Sequence, residues 1–355
     1  MILLAILVGV GFWKISSEPS GHLVALVARP ERIMGTNCLL AVVVPNERSL
    51  RAQSALQRAE DTLRQIEARM SSWLADSEIS KLNRARAGVD VSLSPDVIDV
   101  LKMAQEAHQQ TGGVFDVACR PLIQLWKNAV EHDRLPTARA IVAARQQSRW
   151  DDLVLNSQSS WAKKRSATTS VDLGGIAKGY AIDRALAAIR DSGGDGGLVD
   201  VGGDVACFGR PADGPSWTAD VQDPFSPGRL TTLRLSGGAV CTSGDYARYR
   251  TIEGRRYSHI IDPRTGRPAE SVPSVTVLAP NAVTADVWAT ALNVLGPKGI
   301  GRLPQNVEAL LIVGTAENHK IYCTPGIPKR LEKALPIEPT VIDRTPVGQA
   351  VRESR

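Results

Sequence analysis

Asp286 and Thr290 are the pair of side chains whose types and spacing first suggest chemistry. They stand four residues apart, so a helix would place them on one face. A carboxylate and a hydroxyl are hard oxygen ligands, which suit Mg²⁺ when water and substrate phosphates complete its coordination shell. The same pair is also typical of a solvated helix face, so it leaves metal binding open.

A second candidate is an anion site in residues 172–180. Gly174 and Gly175 precede a predicted helix whose first turn holds Lys178. Free N–H groups at a helix N-terminus attract anions, and glycine lets a phosphate approach the backbone closely. The pattern of a Walker loop is absent, so the alternative is a helix start whose glycines serve only close packing.

His259 is the candidate general base. It lies in a polar segment with Asp262 three residues later, and histidine is well suited to taking a proton from a hydroxyl nucleophile near neutral pH. The alternative is a turn histidine that is hydrogen-bonded to its neighbours. Trp73, Phe115 and Tyr180 could wall a flat ring, although lone aromatic residues are more often part of a core.

Apolar periodicity and turn signals predict the elements that must position these residues. Helices are predicted over 48–70, from Ser94-Pro95 to about residue 110, over 176–191 and over 282–295. Strands are predicted at 37–44, 197–201, 216–221, 230–235, 238–242, 274–279 and 307–313. Because strands and helices mix without a regular βαβ alternation, we expect an α+β fold.

Composition excludes several classes of protein. With 43% apolar and 22% charged residues, the chain is neither wholly disordered nor a multi-span membrane protein. The net charge of +5 comes from interspersed acids and bases, so there is no electrostatic footprint of a nucleic-acid binder. The five cysteines include no CxxC pair, which argues against zinc knuckles and iron–sulfur sites.

The two ends of the chain are set apart from the predicted domain. Residues 2–13 form an unbroken apolar run followed by Lys14, shorter than the roughly 20 residues of a spanning helix. Its length is typical of a signal-peptide core, although the usual basic start is missing. We expect an export signal or short membrane anchor within residues 1–20, with an ordinary buried segment as the alternative. Residues 336–355 are rich in proline and charge and predict a loose tail.

Taken together and in order, the chemistry-bearing segments resemble those of the ApbE family, the FAD:protein FMN transferases. The resemblance covers about residues 33–325 and supports one transferase domain over residues 21–335. The matching motifs are MGT at 34–36, MSSW at 70–73, SEISKLN at 77–83, GGVFD at 112–116, PLIQLW at 121–126, DLGGIAKGYAID at 172–183, VGGD at 201–204, TSGDY at 242–246, HIIDPRTGRP at 259–268 and the helix with Asp286 and Thr290.

The resemblance implies a fold and a set of roles. The fold would be α+β and related to the T-fold, with mixed sheets, flanking helices and an FAD cleft between two lobes. Mg²⁺ would be held by Asp286, Thr290 and a backbone oxygen of Gly175. His259 would deprotonate the acceptor hydroxyl, and Asp262 would orient the histidine. The FAD contacts would include Met34, Trp73, Val114, Phe115, Asp116, Asp172, Lys178 and Ile260.

The activity implied is protein flavinylation. A threonine or serine of a target flavoprotein would attack the FMN-side phosphorus of FAD, which is a substrate here, and AMP would leave. The family also implies a location on the periplasmic side of the bacterial inner membrane. Two alternatives stay open: hydrolysis of FAD to FMN and AMP, with water replacing the protein hydroxyl, and FAD binding without catalysis. Ala289 departs from members that carry an oxygen ligand there.

Overall fold

A computed structural model describes residues 23–244, 249–270 and 272–344. The predicted leader at residues 1–20 lies outside these ranges. The α-helices of the described chain are α1 (Ser49–Met70), α2 (Glu78–Arg84), α3 (Pro95–Thr111), α4 (Arg120–Glu131), α5 (Ala138–Gln147), α6 (Ala177–Asp191) and α7 (Ala282–Leu295).

The strands divide into one large sheet and several small ones. They are β1 (Leu23–Ala28), β2 (Cys38–Pro45), β3 (Val91–Ser92), β4 (Leu153–Asn156), β5 (Trp161–Lys164), β6 (Gly196–Val201), β7 (Asp204–Phe208), β8 (Trp217–Gln222), β9 (Arg229–Leu235), β10 (Gly238–Gly244), β11 (Tyr249–Ile252), β12 (Arg255–Ser258), β13 (Ile261–Asp262), β14 (Arg267–Pro268), β15 (Ser274–Ala279), β16 (Glu308–Gly314), β17 (His319–Cys323) and β18 (Thr340–Val341). The large sheet has the order β1-β2-β6-β7-β10-β15-β16-β17-β18.

This sheet is the middle of three layers. Its neighbours pair antiparallel except for β17 and β18, which run parallel. Helices α1, α6 and α7 pack side by side on one face and enclose the main core. The β8–β9 hairpin covers the opposite face with a second apolar cluster. The mixture of sheets and helices confirms the predicted α+β class.

A smaller cluster, which we call the side lobe, consists of α4, α5 and the β11–β12 hairpin. Its own apolar core includes Leu122, Trp126 and Ile252. The Nε1–H of Trp126 donates to the carbonyl oxygen of Gly266 at 2.8 Å. The loop that follows β13 is therefore tied to the side lobe. The sequence patterns did not predict the helices and strands of this lobe.

The long helices follow local signals. Ser94 precedes Pro95 at the start of α3, and Gly112 ends that helix in the left-handed conformation at φ 66°, as the serine–proline start and glycine stop predict. The side chain of Asn281 accepts from the N–H of Thr284 and caps α7. The Asn281 cap fixes where α7 begins, whereas the side chain of Ser94 makes no capping hydrogen bond at α3. The apolar faces fix where the helices pack.

The structure differs from the prediction of a loose tail. Thr340 and Val341 pair in parallel with β17. The guanidinium of Arg344 contacts backbone carbonyls of residues 304–307 and lies 2.9 Å from a carboxylate oxygen of Glu308. Unpaired backbone groups at a sheet edge favour such an added strand. Residues 345–355 lie outside the described chain.

Helices α6 and α7 cross at Gly179. A Cβ atom built there would lie 2.5 Å from the carbonyl oxygen of Ala282, which is closer than any side chain permits. The N–H of Gly179 donates to Oδ2 of Asp286 at 3.0 Å. Asp183, one turn further along α6, accepts from the N–H groups of Ala282 and Val283. The glycine and the two aspartates therefore lock the two helices together.

We predict that Gly179→Ala destabilises the protein by about 1–3 kcal/mol, as overpacking at a close crossing does. Glycine to alanine inside a helix normally stabilises by about 0.5–1 kcal/mol, so the sign of the change is diagnostic. Urea denaturation measures it. The control is Gly301→Ala, where an added Cβ meets open space and a change within about 0.5 kcal/mol is expected. Equal stability of the two variants would contradict the tight crossing.

Candidate active site

A cavity of about 550 Å³ lies between the α6–α7 side of the main layer and the side lobe. Residues far apart in sequence converge on it, since its walls come from segments between residues 73 and 290. Except for Met34, Tyr180 and Asp262, every predicted site residue lines it. Those lining residues are Trp73, Val114, Phe115, Asp116, Asp172, Gly175, Lys178, His259, Ile260, Asp286 and Thr290.

The candidate metal ligands meet at one wall. Helix α7 presents the buried carboxylate of Asp286 and the hydroxyl of Thr290 on the same face. Thr290 Oγ1 would lie 3.3 Å from a Cβ placed on Gly175, so the backbone of Gly175 approaches this hydroxyl. Ala289 is fully buried in the main core and contributes no oxygen.

One carboxylate, one hydroxyl and a nearby backbone carbonyl form a donor set of oxygen atoms. Such a set fits Mg²⁺, which keeps several waters and takes further ligands from substrate phosphates. No group of three or more His, Cys, Asp or Glu side chains in the described residues could hold a metal ion. The donor chemistry therefore suits Mg²⁺ shared with a substrate rather than a zinc site made by side chains alone.

Lys178 reaches the cavity from the first turn of α6. Its ammonium contacts the carboxylate of Asp204, whose side chain is nearly fully buried at the start of β7. The other oxygen of Asp204 accepts from the N–H of Thr242 at 2.9 Å. Burial opposes the charge on Lys178, but Asp204 and Asp286 outweigh it and hold the pKa of the ammonium above its usual value. Lys178 is therefore a fixed positive charge whose position Asp204 sets.

Asp172 is held by two hydrogen bonds. The hydroxyl of Ser72 donates to one carboxylate oxygen at 2.8 Å, and the N–H of Gly174 donates to the other at 2.9 Å. Ser72 follows α1, whereas Asp172 precedes α6. The bonds thus join the loops at the ends of two packed helices and fix the carboxylate at the cavity wall.

Burial raises the pKa of Asp116 to about 6 against the opposing effects of a hydrogen bond from Ala118 and the charge of His108. The Ala118 N–H donates to Oδ1 at 2.7 Å, and His108 Nδ1 lies 3.6 Å from Oδ2. Phe115 and Val114 beside it are almost fully buried and give this part of the cavity an apolar wall.

The contacts of Asp262 bear on its predicted role of orienting His259. His259 lines the cavity, but the carboxylate of Asp262 does not. It accepts two hydrogen bonds from the guanidinium of Arg264, at 3.0 and 2.9 Å, and a third from the backbone N–H of that residue. A local turn with a bidentate arginine therefore takes the carboxylate that the sequence spacing assigned to the histidine.

Met34 also lies outside the cavity wall. It occupies a left-handed conformation at φ 51°, and its N–H donates to the carboxylate of Glu67 on α1. Thr36 in the same turn packs against Gly202, where an added Cβ would lie 2.7 Å from the threonine hydroxyl. Gly202 lines the cavity, so the turn supports the wall from behind.

Trp73, which was predicted, is 77% exposed, and the ammonium of Lys127 lies 4.2 Å from the centroid of its ring.

Several other residues that line the cavity were not predicted from the sequence. Ile123 of α4, with Tyr249 and Arg250 of β11, completes the outer part of the cavity. The arginine-rich hairpin resembles an ordinary solvated strand pair in sequence, so no signal marked its residues.

Comparisons with known proteins point to one family. The sequence profile of the ApbE family matches residues 34–311. A FAD:protein FMN transferase of Klebsiella pneumoniae is 30% identical over 303 residues, which cover 83% of this chain and 86% of that protein. The Vibrio cholerae protein of the same name is 33% identical over 278 residues, or 76% and 83% of the two chains.

A solved structure supports the same conclusion at the level of the fold. The flavin transferase ApbE from Vibrio cholerae superposes with a TM-score of 0.74 at 28% sequence identity. The match covers 87% of this chain and 99% of that one. The chain belongs to the ApbE family.

Proposed function

We propose that this protein is a FAD:protein FMN transferase, which moves FMN from FAD onto a threonine or serine hydroxyl of a target flavoprotein and releases AMP. The observation that carries the proposal is one cavity that joins the oxygen ligands at Gly175, Asp286 and Thr290 to the cation Lys178 and to His259. The name shared by the similar proteins of Klebsiella and Vibrio supports the same reaction.

The chemistry is a substitution at phosphorus. The acceptor oxygen forms a bond to the FMN-side phosphorus, and the bond from that phosphorus to the bridging oxygen of AMP breaks with its electron pair. His259 takes the proton of the acceptor hydroxyl. Lys178, held protonated against Asp204, stabilises the negative charge that develops on the leaving phosphate.

The residues at the inner wall would hold Mg²⁺ at the pyrophosphate. Asp286 and Thr290 would supply side-chain oxygens, and Gly175 a backbone oxygen. A bound Mg²⁺ would neutralise phosphate charge and favour departure of AMP. The phosphate-binding wall lies on two helices locked at Gly179, so these donors need little rearrangement before the reaction.

Export is a separate proposal. We propose that the protein acts on the periplasmic side of the bacterial inner membrane, because residues 2–13 have the length of a signal-peptide core. Within the described ranges, no helix is both long and apolar enough to cross a bilayer.

Fusing residues 1–22 to a phosphatase that is active only outside the cytoplasm tests export. We expect phosphatase activity from this fusion, because an apolar run of this length after the initiator directs secretion. The control replaces two leucines, Leu3 and Leu4, by arginine, which disrupts the apolar run. An inactive wild-type fusion would contradict the proposal.

We predict covalent flavin on an acceptor when the full chain is incubated with FAD, Mg²⁺ and a flavoprotein fragment that carries the acceptor threonine. The readouts are in-gel flavin fluorescence, a mass gain of one FMN and released AMP. Asp286→Asn should lower the rate by more than about 100-fold, because even partners one shell further out typically contribute 10–100-fold. Asp99→Asn, an exposed carboxylate on α3, is the matched control.

The same experiment separates the alternatives. Released AMP without labelled acceptor would replace the transferase by a FAD hydrolase. Bound FAD without either product would leave a flavin-binding protein. Equal rates for Asp286→Asn and Asp99→Asn would remove Asp286 from the mechanism.

For His259→Gln we predict a fall in kcat of about 10²–10⁴-fold, the usual contribution of a positioned general base. FAD affinity should be largely retained, because the imidazole acts on the acceptor hydroxyl rather than on the dinucleotide. Single-turnover rates and equilibrium FAD binding separate the two effects. His132→Gln, at an exposed position after α4, is the control. A variant that loses FAD binding while keeping kcat would exclude the general-base role.

A further inference from the structure

Arg250 occupies a position in the side lobe where the strand pattern calls for an apolar residue. On β11 it alternates with the exposed Tyr249 and Thr251 and shares a face with the buried Ile252. Its cross-strand partner is Tyr257 of β12, which packs in the side-lobe core. A charged side chain on this inner face costs desolvation energy unless a partner of opposite charge accompanies it.

No such partner is found among the described residues. Nη1 of the guanidinium lies 3.5 Å from the carbonyl oxygen of Ile123. This distance is the outer limit of a hydrogen bond. In the described chain no carboxylate lies within ion-pair distance of Arg250, whereas Arg264 and Lys178 each have one. Burial lowers the pKa of Arg250, and no neighbouring charge offsets it.

The side chain of Arg250 lines the same cavity as the candidate metal ligands. Lys178 is the other lysine or arginine among the described lining residues, and its charge is already matched by Asp204. A pyrophosphate brings two negative charges into a cavity whose walls carry Asp116, Asp172 and Asp286. Of the lysine and arginine residues that line the described walls, Arg250 is therefore the one whose positive charge has no carboxylate partner.

We infer that Arg250 binds a phosphate oxygen of the dinucleotide substrate from the side-lobe wall, opposite the helices that carry Lys178 and Asp286. This rests on the proposed function, because that function makes FAD the ligand. A guanidinium presents a planar pair of donors that matches phosphate geometry. Because the guanidinium is partly desolvated and has no carboxylate partner among the described residues, binding of a phosphate recovers an energetic cost that folding has incurred.

The test measures FAD affinity of the full chain with Mg²⁺, by flavin fluorescence, for wild type, Arg250→Gln and Arg250→Lys. We expect Arg250→Gln to weaken FAD binding by about 10–100-fold, the value of a hydrogen bond to a charged group. Arg250→Lys should recover part of the loss, because it restores the charge without the fork. Arg255→Gln, an exposed arginine of the same hairpin, should bind FAD as the wild type does.

Thermal melting of the free protein separates binding from structure. Because Gln removes a half-buried charge that has no carboxylate partner in the described chain, the Tm of Arg250→Gln should equal or exceed that of the wild type. A Tm well below wild type together with lost affinity would assign Arg250 a structural role and overturn the inference. Equal losses of FAD affinity in Arg250→Gln and Arg255→Gln would also overturn it, because they would reflect net charge alone.

Three further outcomes identify which proposal fails. Unchanged FAD affinity in Arg250→Gln with a raised KM for the acceptor would assign the guanidinium to an anionic group of the acceptor, contrary to the inference. A wild type that binds FAD through Arg250 but labels no acceptor would overturn the transferase and leave the inference standing. A wild type that binds no FAD would overturn both.

Discussion

The close crossing of α6 and α7 is the constraint on which the candidate site depends. Gly179 lets the two backbones approach, and its N–H fixes the carboxylate of Asp286. Asp183 then accepts hydrogen bonds from the first two N–H groups of α7, those of Ala282 and Val283. A carboxylate at this end also complements the helix dipole. Lys178 adjoins the crossing glycine, so its ammonium and the α7 oxygens share one wall. Gly179, Asp183 and Asp286 are therefore needed for the packing of the two helices as well as for the chemistry of the site.

Several charged groups in and around the site follow one rule, from which two residues of the cavity wall depart. Most buried charges have a partner chosen by the fold: Asp204 has Lys178, and Asp262 has Arg264. Such pairing is what makes a buried charge tolerable. Asp116 departs from the rule through a pKa raised to about 6 by burial, and Arg250 through the lack of an anion in the described chain. Both exceptions face the cavity, where a ligand would change the balance.

Local signals in the sequence predicted the long elements, and the family motifs predicted which residues meet. The start at Ser94-Pro95 and the stop at Gly112 define α3 within its own chain segment. Composition and periodicity alone could not bring Trp73, Lys178 and Asp286 together, because their meeting depends on the crossing of helices distant in sequence. The choice of partner was less predictable still. Asp262 is three residues from His259 in the sequence, but its carboxylate is hydrogen-bonded to Arg264 in the turn that follows. The residues next to Arg250 in the sequence did not mark it as a site residue, because its burial depends on the packing of α4 against the hairpin.

The two walls of the cavity have different origins, and this difference fits the chemistry. The wall with Lys178, Asp286 and Thr290 stands on interlocked helices of the main core, where positions are held by backbone contacts. The opposite wall, with Arg250 and the loop beyond β13, is built on the side lobe, to which the Trp126–Gly266 hydrogen bond ties that loop. A rigid wall suits the phosphates, because every substrate molecule presents the same pyrophosphate. A wall of short strands and loops suits the acceptor, because the acceptor hydroxyl must reach the cavity from solvent. Changes in the side lobe away from Arg250 would therefore alter the approach of the acceptor without disturbing the helices that carry Lys178 and Asp286.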